Sequence, residues 1–235
     1  VILFQIIDLL GISLGTRYPR FYTGNTIIDF LGTRWDSNIY LTIAYYGQYQ
    51  DPLNPQDTRL WNFAPLYPFL VRLLTEFSKM MGIDVPVAAS GVIISNIFSI
   101  TAVTSFYFTS RLYLNEKRSI AASLLFAFFP TVFVFSTVAY AEPLFMTFSI
   151  LSWYFFEKKN YYLSGLSLAL STLARFPGAL IFFLYIPIYL FQKVQEEKEL
   201  KEGLKKALGC IIAIPLFPII VISNLIRKLI EKTEK

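Results

Sequence analysis

The chain has 235 residues, of which 55% are hydrophobic and 17% aromatic, and its net charge is +5. Only 16% of the residues are charged, whereas soluble domains carry about a quarter, so the composition predicts an integral membrane protein. There is no histidine and a single cysteine, which excludes His-ligated zinc, Ser–His and Cys–His nucleophile systems and a disulfide framework. Lys and Arg cluster in short loops between apolar runs, which favours positive-inside topology over nucleic-acid binding.

The first part of the chain predicts a long external loop, residues 15–84, that follows a short apolar segment at residues 1–14. Within this loop a helix starting near Trp35 aligns one broad apolar stripe, made of Trp35, Ile39, Ile43 and Tyr46. Such a stripe is typical of a helix lying in the membrane–water interface. A second amphipathic run ends at Met81 and predicts a second interfacial helix, entered through Pro65 and Pro68.

Residues 85–223 predict a transmembrane helical bundle, so the fold class is all-α and polytopic and the chain forms a single domain, residues 1–235. The apolar runs are residues 88–108, 120–138, 144–156, 161–174, 178–191 and 208–222. Pro130 predicts a break in the second run, and Arg175-Phe176-Pro177 separates the fourth from the fifth.

Loop charges predict the orientation of these runs. If every apolar run between the basic clusters crosses the membrane, all the clusters fall on one side. The positive-inside rule identifies this side as the cytoplasm. The clusters are Arg111/Lys117/Arg118, Lys158/Lys159 and the segment 193–206. Asp36, Glu142 and Arg175 then share the opposite face.

Asp36 is the candidate catalytic residue. It stands in the first turn of the predicted helix, where the helix dipole favours an anion, and a carboxylate can act as a general base towards a hydroxyl. The alternative is an N-cap or an ion pair with Arg34.

Five further residues are candidates for substrate binding. Arg34 and Arg175 can each hold a phosphate bidentately, although Arg34 can also pair with Asp36 and Arg175 can snorkel at a helix break. Glu142 is a candidate because a carboxylate at bilayer depth is costly to bury without a partner. The alternative is a turn residue before Pro143. Trp35 and Tyr46 are aromatic candidates, and for Tyr46 the alternative is the interfacial aromatic belt.

Four motifs give the chain a family resemblance. They are Arg34-Trp35-Asp36 with Tyr40-Leu41-x-Ile43-Ala44-x-x-Gly47, then Phe63-Ala64-Pro65-Leu66-Tyr67-Pro68, then Tyr140-Ala141-Glu142-Pro143-Leu144-Phe145, and Ala174-Arg175-Phe176-Pro177-Gly178. In this order they resemble the PIG-V-like mannosyltransferases, which in eukaryotes add the second mannose of the GPI anchor.

The resemblance implies a GT-C glycosyltransferase that uses a polyprenyl- or dolichyl-phosphate mannose donor and a lipid-linked glycan acceptor, and that inverts the anomeric centre. It implies that Asp36 is the catalytic base. Glu142 and Arg175 match functional residues of the family only by their position in the motifs. From the residues themselves we expect a metal-independent reaction, no cofactor besides the lipid-linked sugar donor, and no nucleic-acid partner. The active face lies opposite the cytoplasm, in the plasma membrane of a prokaryote or the ER of a eukaryote. The chain is shorter than typical family members.

Two other function classes remain open from the residues alone. A lipid or small-molecule transporter or flippase is consistent with broken helices and with Glu142 near bilayer depth. An inert membrane scaffold leaves the Arg34-Trp35-Asp36 unit unexplained.

Overall fold

The computed structural model describes residues 21, 26–33, 35–47, 49 and 58–196. The regular elements of this part are helices: α1 (Thr26–Gly32), α2 (Ser37–Tyr46), a short 3₁₀ helix (Thr58–Asn62), α3 (Leu66–Met80), α4 (Val87–Ser110), α5 (Glu116–Ala127), α6 (Pro130–Thr137), α7 (Glu142–Glu157), α8 (Tyr161–Ala174) and α9 (Gly178–Glu196). The all-α class is therefore confirmed. The predicted helix 161–174 has the same bounds in the structure, and the interruption at 175–177 separates α8 from α9.

The described residues group into two compact units. The first lies within Val1–Ile100 and Phe126–Pro143, and the second within Thr101–Leu125 and Leu144–Lys235. The division into an external loop and a bundle is not tested by this grouping and stays a prediction.

Helix α2 forms part of the core of the first unit. Its Ile39 and Ile43 pack against Leu60 of the 3₁₀ helix, and all three side chains are buried. The helix ends at Gly47, which has the left-handed φ of +70° that favours glycine. The predicted stripe forms only in part, because Trp35 precedes the helix and has a positive φ. At Ile39 and Ile43 the stripe faces protein, since the 3₁₀ helix supplies an apolar partner that the sequence pattern does not reveal.

Helix α4 is approached closely by its neighbours in the first unit. A Cβ on Gly91 would lie 2.9 Å from the Cβ of Ala139, and a Cβ on Gly32 would lie 2.9 Å from the Cβ of Ala88. Ser90 and Ser95 on the same helix are fully buried. Small residues thus let backbones approach α4, as they do at helix interfaces within membranes.

A helix break lies at Pro130, as predicted, because α5 ends at Ala127 and α6 begins at Pro130. Phe129 before it is extended, with φ −60° and ψ 128°, because the proline ring disfavours the helical region for the preceding residue. This conformation interrupts the helix between α5 and α6.

The second unit is held together by serine hydroxyls and a small aromatic core. The Ser149 and Ser171 hydroxyls are 2.7 Å apart, and the Ser152 hydroxyl lies 2.9 Å from that of Tyr185. Phe156, Leu168, Ala169 and Tyr185 form the buried cluster between α7, α8 and α9.

The distribution of side chains on α4 is the reverse of that on a helix in a soluble protein. Its large apolar side chains Ile93, Ile97, Ile100 and Phe108 are exposed, while its buried polar side chains are serines. Among the described helices α4 is long and apolar enough to cross a membrane, and the bent pair α5–α6 gives a second candidate if it counts as one span. The other predicted spans stay predictions.

Candidate functional site

The backbone before α2 has an unusual conformation at Trp35. Its φ is +47°, a left-handed value that costs a bulky side chain on the order of 1–3 kcal/mol. The half-buried Trp35 ring packs edge-on against Tyr140, with the ring centroids 6.3 Å apart. The strained residue thus lies directly before the candidate base and is anchored by a neighbouring aromatic ring.

Asp36 stands at the N-cap of α2, but its side chain does not cap the helix. Its backbone is helical, with φ −72° and ψ −7°, and the carboxylate makes no capping hydrogen bond in the described structure. The usual N-cap has an extended backbone, which lets the side chain reach the N–H groups of the first turn. The exposed carboxylate of Asp36 therefore does not act as a cap in this structure, and the alternative ion pair with Arg34 stays a prediction.

The backbone N–H of Asp36 is bound from a distant part of the chain. It donates to the Tyr140 hydroxyl at 2.8 Å, across a sequence separation of 104 residues. The Tyr140 ring also contacts Tyr40 of α2, with centroids 6.1 Å apart, and Phe135 of α6, with centroids 5.1 Å apart. Tyr140 therefore joins the first and third sequence motifs.

The main chain of Tyr140 is held by a buried serine. The Ser95 hydroxyl donates to the Tyr140 carbonyl at 2.9 Å and accepts from the Tyr140 N–H at 3.0 Å. Next to it, the N–H of Ala139 donates to the carbonyl of Leu31 at 3.1 Å. Residues 139–140 are thus fixed to both α1 and α4.

Tyr67 brings the second motif into the same network. Its hydroxyl donates to the Gly91 carbonyl at 2.9 Å and lies 3.0 Å from the Ser95 hydroxyl. Its ring lies edge-on to Tyr40 at 5.1 Å. Burial raises the pKa of the Tyr67 phenol, so the phenol stays a neutral donor across the physiological range.

Two of the predicted binding residues occupy the ends of helices in or beside this network. Glu142 is half-buried in the first turn of α7, two residues after Tyr140. Tyr46 is the last residue of α2 and contacts Tyr45 edge-on at 5.0 Å. Tyr46 therefore lies at the opposite end of α2 from Asp36. Arg34, the third candidate near the base, lies outside the described residues.

Arg175 belongs to the second unit, at a sharp turn between α8 and α9. Its N–H donates to the Ser171 carbonyl at 2.9 Å, and its carbonyl accepts from the N–H of Gly178 at 2.9 Å. A Cβ on Gly178 would lie 2.5 Å from the backbone nitrogen of Thr172. Gly178 is thus required for the return of the chain onto α8, and this turn sets the half-buried position of Arg175.

Sequence reasoning missed Arg72 of α3 and the roles of Ser95 and Tyr67. A Cβ on Gly47 would overlap the Arg72 guanidinium, so this exposed cation lies across the end of α2. Tyr67 and Gly47 each lie in one of the four sequence motifs, and this position could have identified them as structurally important. Ser95 has no motif around it and is recognisable only from its contacts.

The described residues contain no group of three metal-ligating side chains. The metal-free reaction stays a prediction.

Comparison with known proteins assigns the family. The profile described as Mannosyltransferase (PIG-V) matches residues 24–229. The chain belongs to this family. The PIG-V resemblance based on the four motifs is thereby confirmed, and the motifs all lie inside the matched range.

One curated relative of this PIG-V family chain is GPI mannosyltransferase 2 of Schizosaccharomyces pombe. The two are 29% identical over 147 residues, which is 62% of this chain and 29% of the relative. The chain thus matches less than a third of the length of that relative. No solved structure matches the chain.

Proposed function

We propose that this chain forms the catalytic part of an inverting membrane mannosyltransferase, with Asp36 as the general base. The observation that carries the proposal is that the backbone of Asp36 is bound from a distant segment while its exposed carboxylate does not cap the helix. Its N–H is bound by Tyr140, while its side chain caps no helix within the described residues. The family assignment favours this function over the transporter and scaffold alternatives.

The proposed reaction is a single displacement. The Asp36 carboxylate takes the proton of an acceptor hydroxyl, whose oxygen attacks the anomeric carbon of the donor mannose. The bond from that carbon to the phosphate oxygen breaks, and polyprenyl or dolichyl phosphate leaves with the bonding electrons. Attack opposite the leaving group inverts the anomeric centre, and a phosphate needs little acid assistance, so one carboxylate suffices, in contrast to glycosidases.

We assign Arg175, and Arg34 beside the base, to the phosphate of the donor. A guanidinium binds phosphate oxygens through two parallel hydrogen bonds and stabilises the charge that develops as the lipid phosphate departs. Trp35 and Tyr46 are proposed to contact the substrate, and Glu142 to bind it through its carboxylate. The proposed enzyme spans the membrane several times, uses a lipid-linked glycan acceptor, requires no metal or cofactor and works on the face opposite the cytoplasm.

The test is mannose transfer by Asp36→Asn protein in proteoliposomes, with radiolabelled polyprenyl-phosphate mannose and a lipid-linked glycan acceptor. Removal of a general base is expected to lower kcat by roughly 10²–10⁴-fold. Asp84→Asn is the matched control, because Asp84 is an exposed carboxylate outside the helices, and it is expected to leave kcat unchanged. Full turnover by Asp36→Asn would exclude the base role, and retention of configuration in the product would exclude the single displacement.

A further inference from the structure

The end of α2 that carries Asp36 depends on a donor–acceptor pair outside the helix. The first N–H groups of a helix have no partner within it and are usually satisfied by a local side chain. The Asp36 side chain makes no such capping bond in the described structure. The N–H of Asp36 itself donates to the Tyr140 hydroxyl at 2.8 Å.

This contact holds the chain next to a strained residue. Trp35, with φ +47°, precedes Asp36 directly, and a positive φ at a bulky residue persists only where the surroundings enforce it. Tyr140 contacts both residues, because its ring packs on Trp35 and its hydroxyl binds the Asp36 N–H. The direction in which the Asp36 Cα–Cβ bond leaves the backbone is therefore set from Tyr140.

Tyr140 is itself positioned more firmly than a surface loop would allow. Its side chain is 5% exposed, and both of its main-chain polar groups bind the Ser95 hydroxyl. Ser95 is fully buried and also lies beside the Tyr67 hydroxyl. The chain of contacts runs from Tyr67 through Ser95 and Tyr140 to Asp36.

We propose that Tyr140 is the positioning residue of Asp36: its hydroxyl fixes the Asp36 backbone so that the carboxylate is held towards the acceptor hydroxyl. The inference rests on the proposed function, since it takes Asp36 as the base. Tyr140 acts through Asp36 and contacts no reacting atom. Misplacement of a catalytic group by about 1 Å can cost on the order of 10²-fold in rate, so this contact has a measurable kinetic consequence.

The test removes only the hydroxyl, with Tyr140→Phe. The ring contacts to Trp35 and Tyr40 stay, and kcat is expected to fall about tenfold with KM for the donor unchanged. Tyr185→Phe is the matched control, because Tyr185 is equally buried and its hydroxyl bonds Ser152. The control loses a comparable buried hydrogen bond and is expected to keep kcat. A tenfold loss in both variants, or in neither, would overturn the inference.

A double-mutant cycle separates positioning from a general structural effect. In the Asp36→Asn background, Tyr140→Phe is expected to have no further effect on the residual rate, because the group it positions is gone. An equal tenfold loss in both backgrounds would overturn the positioning role and leave the base role of Asp36 intact. Full turnover by Asp36→Asn alone would overturn the proposed function itself.

Hydrogen exchange gives a readout that does not depend on activity or on the identity of the acceptor. The Asp36 amide is expected to exchange faster in Tyr140→Phe than in the unsubstituted protein, and to be unchanged in Tyr185→Phe. Unchanged exchange at Asp36 in Tyr140→Phe would show that the hydrogen bond is not what holds this backbone, and would overturn the inference.

Discussion

At the scale of single residues, the backbone ψ angle of Asp36 distinguishes a helix cap from a side chain that does not cap the helix. An aspartate before a helix is commonly a cap, and the sequence left that alternative open beside the catalytic one. The helical ψ of −7° at Asp36 removes the geometry in which its carboxylate would accept from an N–H of the first turn. The N–H of Asp36 itself donates to the Tyr140 hydroxyl. The carboxylate therefore does not stabilise its own helix as a cap, which is consistent with the proposed role as general base.

Gly178, in the fourth motif, lies close to the backbone of the preceding helix. Gly178→Ala would place a Cβ 2.5 Å from the Thr172 nitrogen and 2.6 Å from the Ser171 carbonyl carbon. Because backbone cannot move aside as a flexible side chain does, we expect a loss of roughly 1–3 kcal/mol, measured by thermal unfolding in detergent.

The control for Gly178 is Gly82→Asn. Gly82 has φ +76° and open space around its Cα, and asparagine tolerates this conformation, so the expected change is within about 0.5 kcal/mol. An unchanged stability of Gly178→Ala would mean that α9 does not begin against the backbone of α8.

At the scale of helices, apolar runs and prolines predicted the elements well. The run at residues 88–108 became α4 (Val87–Ser110), and the break at Pro130 separates α5 from α6. These features are local, since helix periodicity and the proline ring act within one or two turns. The partner of a helix face is not local, as Ile39 and Ile43 of α2 show by packing on Leu60. The interfacial position of this helix stays a prediction.

A substitution at Ser95 tests how much the stability of the contacts between α3, α4 and residues 139–140 depends on one hydroxyl. Ser95→Ala leaves the buried N–H and carbonyl of Tyr140 without the partner seen in the structure, which we expect to cost about 1–3 kcal/mol. The measurement is the melting temperature of the purified protein. Ser99→Ala is the matched control one turn along α4, since the Ser99 hydroxyl donates to the Ser95 carbonyl of its own helix.

The Ser99→Ala variant is expected to melt close to the unsubstituted protein. Equal destabilisation by Ser95→Ala and Ser99→Ala would mean that the network between α3, α4 and residues 139–140 contributes no specific stability.

At the scale of the whole molecule, exposed apolar and buried small polar side chains point to a lipid environment. Exposed Ile93, Ile97 and Ile100 alternate with buried Ser90, Ser95 and Ser105 along α4. In water the hydrophobic effect drives large apolar side chains inwards, whereas in lipid that force between helices is absent and small residues form the contacts.

Ile97 provides the corresponding test of membrane insertion. It lies near the middle of α4 and is 51% exposed, so Ile97→Lys is expected to disfavour insertion by about 2.5–3.5 kcal/mol. The fraction of inserted α4 can be measured by glycosylation of engineered flanking sites in microsomes. Ile97→Leu is the control and is expected to insert fully. Equal insertion of the Lys and Leu variants would contradict a transmembrane α4.

The sequence by itself determined the helical class, most helix ends, the family and the candidate residues. These properties depend on composition, on periodicity and on short motifs, all of which are read within a few residues. The tertiary structure alone decided which groups meet. In the folded chain the Asp36 N–H donates to Tyr140, which is 104 residues away in the sequence. The Ser95 hydroxyl lies between Tyr140 and Tyr67. Gly91 lies against neighbouring side chains and Gly178 against neighbouring backbone. Contacts between distant segments cannot be predicted from local periodicity in a sequence, because they depend on how complete helices pack.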